Sequence, residues 1–214
     1  TGASTVFGNV GVSPDSSITG FGPGVIVGGS MHLNDAMAQN AQSNLAAAYN
    51  VIAGESFTSA QNLTGQDLGN RTLFPGVYHF DTSAQLTGSL VLDALGDPNA
   101  RFDFQIGSAL TTASAASVSV INGGTGGNVY WQVGSSATLG TGTVFTGNIL
   151  ALTSITLNPD ASIVDGRALA RNGAVTLDAN RIGAAVVPEA NTAILLALAL
   201  PATGVALVAR RKKK

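Results

Sequence analysis

Three similar segments follow one another between residues 128 and 178, and this repeat limits the folds that the chain can adopt. Each contains an apolar–Thr–apolar triplet, and the central residues Thr138, Thr156 and Thr176 lie 18 and 20 residues apart. A period of about 20 residues is typical of a solenoid, in which one unit cannot bury its apolar side without stacked neighbours. The repeat therefore predicts coils that stack on one another and share a core.

The alternation within the triplets indicates short β-strands. The apolar residues on either side of each threonine then point into the core, and the threonines point outward. If the coils stack in register as parallel strands, successive threonines stand roughly 4.8 Å apart. The result is a regular row of hydroxyl and methyl groups, although threonine is also common in strands that merely face solvent.

Charged side chains are scarce in this chain. They make up 10% of the residues, against about 25% in an average globular protein. Five of the ten basic residues form a cluster at 210–214, so the other five stand against twelve acids. This acidic balance argues against a nucleic-acid partner. Cysteine is absent, which excludes disulfides and cysteine-based metal sites.

One long helix is predicted at about 32–53. Glycine and proline are absent from this segment, alanine is abundant, and Gly54 supplies a stop signal. Apolar residues recur at steps of three and four, which places them on one face of a helix. They are Leu33, Met37, Ala41, Leu45, Ala48 and Ile52. We expect this face to pack along one side of the stacked strands.

No catalytic or cofactor-binding motif is found in the sequence. His32 and His79 are isolated, and the chain has no nucleophile elbow, phosphate loop or paired metal-binding histidines. Asp93, Asp97 and Asp103 do not have the spacing of a calcium loop, and Asp97 lies in a Gly-Asp-Pro-Asn turn. We therefore expect no enzymatic activity, no cofactor and no metal.

Seven segments carry a family resemblance: GNVGVSP (8–14), TLFPGVY (72–78), GDPNA (96–100), FQIGS (104–108), WQVGSSATLG (131–140), GNILALTSITLN (147–158) and GRALA (166–170). In this order they resemble the microbial β-solenoid ice-binding (antifreeze) protein family. The resemblance implies, for residues 1–183, a mainly β fold. It is a discontinuous β-solenoid of roughly triangular cross-section, with one long helix along a side. It also implies a secreted protein that adsorbs to ice and inhibits its growth or recrystallisation, and we expect a monomer. The family's usual opening is missing before Thr1, so we expect one coil to lack a partner strand.

The C-terminal residues resemble the bacterial Pro-Glu-Pro sorting signal, which is read by an exosortase-type enzyme. A linker at 184–192 contains Val187, Pro188 and Glu189, although Ala190 replaces the second proline of the motif. An apolar run at 193–209 predicts a transmembrane-like helix, and the basic cluster at 210–214 would stay cytoplasmic. The resemblance implies export in a Gram-negative bacterium to the medium or cell surface, with membrane contact only through this tail.

Three outward rows are candidate ice-binding sites. The first is Thr138, Thr156 and Thr176, the second is Thr143 and Ser162 with Thr146 nearby, and the third is Gln132, Ala151 and Ala170. We favour the first row, because a threonine methyl excludes water locally while its hydroxyl can donate and accept hydrogen bonds. We expect the helix to cover one of the three sides and to remove one row.

A second function, polysaccharide binding by a cell-surface or biofilm matrix module, stays open. The sorting tail motivates it, because such signals accompany exopolysaccharide production. Solenoid sugar binders usually expose aromatic and acidic residues in a groove. The chain has one tryptophan, three tyrosines and eight phenylalanines, and we expect most of them at inward positions, which favours ice over sugar.

Overall fold

A computed structural model describes residues 2–183, which form parallel β-sheets and one long α-helix. Within these residues the strands are β1 (Thr5–Phe7), β2 (Val10–Val12), β3 (Val25–Val27), β4 (Met31–Leu33), β5 (Arg71–Leu73), β6 (Gly76–Phe80), β7 (Ala84–Leu86), β8 (Ser89–Asp93), β9 (Phe102–Ile106), β10 (Leu110–Thr112), β11 (Ser117–Ile121), β12 (Val129–Val133), β13 (Ala137–Leu139), β14 (Val144–Thr146), β15 (Asn148–Ala151), β16 (Ile155–Leu157), β17 (Ser162–Val164), β18 (Ala168–Ala170), β19 (Val175–Thr176) and β20 (Arg181–Ile182). The helix is α1 (Ala36–Ala53). Short 3-10 turns occupy Ser59–Gln61 and Gly126–Asn128.

From β6 onward the chain visits three sheets in a fixed order. The first strand of each successive trio joins the helix-covered sheet (β6, β9, β12, β15, β18). The second joins the threonine sheet (β7, β10, β13, β16, β19), and the third joins the eight-stranded sheet. We call one such trio a circuit. Strands of neighbouring circuits pair in parallel within every sheet, so the mainly β fold with stacked parallel strands is confirmed.

The N-terminal segment extends the eight-stranded sheet at one end. β1 pairs in parallel with β20, and β3 pairs with β1. At the other end β5 pairs with β8. The strands β2 and β4 form a separate two-stranded parallel sheet. The N-terminal residues thus form parallel strands of the same kind as the repeats.

The helix begins four residues later than the sequence predicts. A carboxylate oxygen of Asp35 accepts the N–H of Ala38 at 2.9 Å, so Asp35 caps the helix and fixes its start at Ala36. His32, at the predicted start, lies in β4 instead. The predicted end is confirmed, because the helix ends at Gly54, whose N–H returns to the carbonyl of Asn50 at 3.2 Å.

One side of α1 packs on the helix-covered sheet. Leu45, Tyr49 and Ile52 are buried in a cluster with Leu150 of β15. Four of the six residues of the predicted apolar stripe are instead exposed: Leu33, Met37, Ala41 and Ala48. The contact therefore forms along the last turns of the helix, and it covers one of the three sheets.

The core between the sheets is built around a column of stacked aromatic rings. The rings of Tyr78 and Phe104 lie 5.4 Å apart, and those of Phe104 and Trp131 lie 3.8 Å apart. Phe145 tilts against Trp131 at 4.9 Å. The indole N–H of Trp131 donates to the carbonyl of Thr146 at 3.1 Å, so this buried polar group is satisfied.

The predicted linker, apolar segment and basic cluster, together with Val187, Pro188 and Glu189, lie outside the described residues.

Candidate functional site

The threonines of the first predicted row are neighbours in the threonine sheet. Thr138 pairs with Thr156, and Thr156 pairs with Thr176. The same row continues in the other direction, because Thr138 pairs with Thr111 and Thr111 pairs with Gln85. Thr138 and Thr156 are half-buried by their neighbours, whereas Gln85, Thr111 and Thr176 are exposed. We call this outward row of five residues, with its flanking corners, the threonine face.

The sequence positions that alternate with these threonines explain why the row points outward. Ala137, Leu139, Ile155 and Leu157 are buried in the core, so strand alternation places Thr138 and Thr156 on the opposite side. The apolar triplets therefore fix the orientation of the row at these two threonines, whereas Val175, which was expected to point inward beside Thr176, is 39% exposed.

Backbone hydrogen bonds continue beyond the strands of the threonine sheet into the adjoining corner. The N–H of Ser135 donates to the carbonyl of Ser108 at 3.0 Å, and the N–H of Thr153 donates to that of Ser135 at 2.9 Å. A serine hydroxyl takes part as well, because Ser136 Oγ accepts the N–H of Ser154 at 3.3 Å. The corner is thus tied from circuit to circuit, which restrains the edge of the threonine face.

The threonine face has no charged side chain. The segments that form it and its corners are 82–88, 108–114, 135–141, 153–159 and 172–177, and they contain no Asp, Glu, Lys, Arg or His. A carboxylate lies at one end of the row, where Asp67 bridges to Gln85. Burial alone would raise the pKa of Asp67, but the backbone N–H groups of Thr87 and Gly69 lower it below its ordinary value. The carboxylate of Asp67 therefore already accepts hydrogen bonds from two backbone N–H groups.

The second predicted row is wrong. Thr143 is fully buried, and its Oγ1 lies 2.8 Å from Thr112 Oγ1. Thr146 is 7% exposed and donates its hydroxyl to the carbonyl of Val118 at 2.7 Å. Ser162 is half-buried on the eight-stranded sheet, where it pairs with Val144 and not with Thr143. These side chains do not form a row, and the two threonines do not reach an external surface.

The third predicted row is wrong as well. Ala151 and Ala170 pair with each other, but both belong to the core. Gln132 lies one position out of register with them, because it pairs with Leu150 on the side that α1 covers. The apparent row mixes the two sides of the helix-covered sheet.

Sequence reasoning missed Thr111 and Gln85, although one signal pointed to Thr111. The segment at 104–108 is echoed 27 residues later at 131–135, and the same step carries Thr111 onto Thr138. Gln85 has no comparable signal, because its residue type differs from the rest of the row.

The eight-stranded sheet also has an outward side with exposed residues, but it differs in chemistry. Val144 is 46% exposed there, and the guanidinium of Arg181 lies 4.5 Å from the ring centre of Phe7. Asp93 uses a carboxylate oxygen to accept from the N–H of Leu95 at 2.9 Å. The outward side of this sheet therefore mixes apolar and charged groups.

Residues 2–183 contain no group of three or more His, Cys, Asp or Glu side chains placed to hold a metal ion. In the same stretch, no helix has the length and apolar character needed to cross a membrane.

Comparison with known proteins gives one consistent family. The model of the family described as Ice-binding-like matches residues 1–183. An ice-binding protein of Nostoc sp. (strain HG1) is 54% identical over 203 residues, which cover 91% of this chain and 74% of that protein. The crystal structure of an ice-binding protein from the Antarctic ascomycete Antarctomyces psychrotrophicus matches with a TM-score of 0.79 and 37% identity, covering 84% of this chain and 86% of the other. That of an ice-binding protein from an Antarctic biological consortium matches with a TM-score of 0.76 and 41% identity, covering 85% and 84%.

Proposed function

Because the chain belongs to the Ice-binding-like family, we propose that it binds ice crystals through the threonine face and slows their growth or recrystallisation. The observation that carries the choice of face is the paired row of Gln85, Thr111, Thr138, Thr156 and Thr176. It lies on a sheet that α1 does not cover, and its strands and corners carry no charged side chain. No catalytic group is needed for this role.

The chemistry of the row suits a solid water surface. Each threonine offers a hydroxyl that donates and accepts, beside a methyl group that binds no water. The β-branched side chain is stiff at its first torsion, so little freedom is lost on adsorption. A long charged side chain would hold its own hydration shell and would add mobility. Many such weak contacts add up over a rigid plane without any single strong one.

The spacing of the row comes from the backbone. Parallel strands stand roughly 4.8 Å apart, and the described circuits repeat this step along the row. We propose that the three sheets enclose one core as a discontinuous β-solenoid of roughly triangular cross-section, which would make the threonine face one flat side of a stiff rod. The protein would act as a monomer, since one such face is enough for adsorption.

The C-terminal segment supports a proposal about location that rests on sequence alone. The Val187-Pro188-Glu189 motif, the apolar run and the basic end together suggest export and recognition by an exosortase-type enzyme. The protein would then meet ice outside the cell, in the medium or at the cell surface.

The experiment compares two matched tyrosine variants. Thr156→Tyr places a bulky ring in the middle of the threonine face, and Ser162→Tyr does the same on the eight-stranded sheet of the same circuit. Thermal hysteresis, ice-crystal shape and recrystallisation are measured for both, with melting temperature as the folding control. We expect Thr156→Tyr to lose most of the activity and Ser162→Tyr to keep it. The reverse result would move the site to the eight-stranded sheet, and full activity in both would refute a site on either sheet.

A finer pair of variants separates the two parts of the threonine side chain. Thr156→Val keeps the shape and removes the hydroxyl, whereas Thr156→Ser keeps the hydroxyl and removes the methyl group. If both groups contribute to ice adsorption, each variant should lose part of the activity that Thr156→Tyr loses in full. An unchanged activity in both would show that the residue only fills space.

A further inference from the structure

The chain that leaves the end of α1 is held to the helix-covered sheet by one buried glutamine. The side-chain Nε2 of Gln105 donates to the carbonyl of Ile52 at 2.7 Å and to that of Glu55 at 2.8 Å. Both of its N–H groups are therefore used on backbone acceptors. This fixes the orientation of the amide, and its Oε1 faces the other way as an acceptor.

The acceptor oxygen of Gln105 faces a histidine. His79 Nδ1 lies 2.9 Å from Gln105 Oε1, and His79 Nε2 lies 3.0 Å from a carboxylate oxygen of Asp81. Neither partner oxygen has a hydrogen to give, so the two contacts are hydrogen bonds at the same time only when both ring nitrogens carry a hydrogen. The carboxylate remains ionised, because the hydrogen bond from His79 lowers the pKa of Asp81, with a further one from Thr64.

The ring of His79 also contacts the segment after the helix. The ring of Phe57 stacks on that of His79 with centres 4.0 Å apart and planes 6° from parallel. An aromatic face attracts a cation, so the stacking would be stronger with hydrogens on both ring nitrogens. His79 therefore holds the docked position of this segment through two contacts, one with Gln105 and one with Phe57.

A second proton-dependent contact lies beside the first. Arg101 Nη2 is 2.9 Å from Glu55 Oε1, and Arg101 Nε is 2.8 Å from Asp103 Oδ2. The other two oxygens, Glu55 Oε2 and Asp103 Oδ1, are buried and have no donor. One guanidinium thus faces two carboxyl groups whose remaining oxygens are sealed from water. One proton held between the two carboxyl groups would satisfy both oxygens and would match the charges.

The electrostatics of Asp103 agree with a retained proton. The pKa of Asp103 is raised to about 6: burial is the largest cause, the charge and the hydrogen bond of Glu55 act in the same direction, and Arg101 acts in the opposite one. Tyr130 is the neighbour on β12, where the guanidinium of Arg101 lies 5.2 Å from its ring centre. The neighbour on β6, Val77, is uncharged.

We propose that Glu55, Phe57, His79, Arg101 and Asp103 form a latch that fastens the C-terminal end of α1 to the helix-covered sheet at mildly acidic pH and loosens as the pH rises. With both protons bound, these residues and Asp81 have no net charge. With both protons released, the same group has a net charge of −2 in a partly buried place. The proton between Glu55 and Asp103 is held in the closed latch at a pH where a free carboxyl group has already released it, so a rise in pH favours opening.

The direction and size of the pH effect on opening follow from the difference between the pKa of Asp103 in the closed latch and its pKa in the open one. Its pKa is about 6 in the closed latch and has a reference value of 3.8 when free, so the closed form holds an extra proton between these values. Raising the pH through this window removes the proton and the stability that it confers. Between pH 5 and pH 7 the opening equilibrium should rise about tenfold from this group alone.

The test is hydrogen exchange on the full 214-residue chain at pH 5, 6, 7 and 8, expressed as protection factors. Protection of the amides at 50–57 should fall about tenfold between pH 5 and pH 7, while amides of the threonine sheet keep theirs. Asp103→Asn keeps the shape but not the titration, so protection in this variant should depend much less on pH. Asp15→Asn, at an exposed position, should behave like the unchanged protein.

The same protection at pH 5 and pH 8 in the unchanged chain would overturn the latch. So would an Asp103→Asn variant that keeps the full pH dependence.

Discussion

A buried pair of threonine hydroxyls ties the threonine sheet to the eight-stranded sheet. Thr112 Oγ1 lies 2.8 Å from Thr143 Oγ1 and accepts the N–H of Gly140 at 2.9 Å. Thr143 Oγ1 lies 3.1 Å from the carbonyl oxygen of Ala113, which has no hydrogen to give. Thr143 must therefore donate to Ala113, and Thr112 must donate to Thr143. Each hydroxyl in this network both donates and accepts.

We predict that Thr143→Val lowers the free energy of unfolding by about 1–3 kcal/mol. Valine has nearly the same shape but no acceptor, so the hydroxyl of Thr112 loses its partner at a site that is 3% exposed. The carbonyl of Ala113 still receives the N–H of Ala116 at 3.3 Å, so the orphaned hydroxyl accounts for most of the loss. For a domain of this size the melting temperature should fall by about 2–4 °C per kcal/mol.

The assay is urea unfolding of four proteins: the unchanged chain, Thr143→Val, Thr112→Val and the double variant. Thr112→Val removes the acceptor of the Gly140 N–H and should itself destabilise the fold. Adding Thr143→Val to it should then have little further effect, because the hydroxyl that would be orphaned is already gone. The two effects should therefore fall short of additivity by most of the cost of Thr143→Val alone, which is about 1–3 kcal/mol.

An outward threonine provides the crossed control. Thr138→Val should change stability by no more than about 0.5 kcal/mol but should weaken ice activity, whereas Thr143→Val should weaken stability and leave the activity of the folded protein intact. Additive effects in the cycle would refute the hydrogen-bond directions. Loss of ice activity in folded Thr143→Val would show that this buried residue has a role that its position does not explain.

Two further changes test the packing. Trp131→Ala removes a ring stacked 3.8 Å from Phe104 and should lower the free energy of unfolding by about 3–5 kcal/mol in urea unfolding; a loss below about 1 kcal/mol would contradict its place in the core. Gly134→Ala puts a Cβ 2.4 Å from the carbonyl oxygen of Gly107 and should lower the melting temperature. In Gly22→Ala nothing lies within 4 Å of the new Cβ, so the melting temperature should stay unchanged. Equal losses of melting temperature in the two variants would count against a close contact between Gly134 and Gly107.

The threonine row could be predicted from the sequence because parallel stacking places equivalent residues of successive circuits beside one another. Apolar residues on both sides of Thr138, Thr156 and Thr176 indicate an outward threonine, and a nearly constant step places the triplets one above another. Both properties survive folding, since parallel pairing joins equivalent positions. The helix was predicted because its apolar residues have a period that strands do not share, but of the predicted stripe only Leu45 and Ile52 are buried.

The error in the second row lies at and beside a corner, where strand alternation no longer applies. Thr143 precedes β14 and turns inward to meet Thr112, so its 19-residue distance from Ser162 carries no information about register. Thr146 does lie in a strand, but the turn at Gly126–Asn128 approaches it, and a Cβ on Gly126 would lie 2.6 Å from its methyl group. No local pattern at 143–146 reveals either contact, because the partners are 20 to 31 residues away in sequence.

The latch shows the same limit in a polar setting. His79 and Asp103 look like isolated ionisable residues in sequence, and a lone histidine is usually a satisfied structural residue. The role of His79 depends on its contact with Gln105. The amide orientation of Gln105 is set in turn by carbonyl groups some 50 residues earlier in the chain. Only the stacking of β6 beside β9, with the end of α1 above them, brings these groups together.

The three sheets share one backbone spacing, so the choice of an ice-binding side depends on what lies on each. Among the described residues, α1 covers one sheet, and the eight-stranded sheet carries Arg181 and exposed valines. The threonine sheet alone combines an uncovered side, no charge and the same residue on four successive strands. Because the backbone fixes the spacing, an outward substitution changes the chemistry of one point without moving the others. Thr156 has a paired threonine on each side, so a ring placed there interrupts the row at its centre, and its effect on ice growth reports on the whole face.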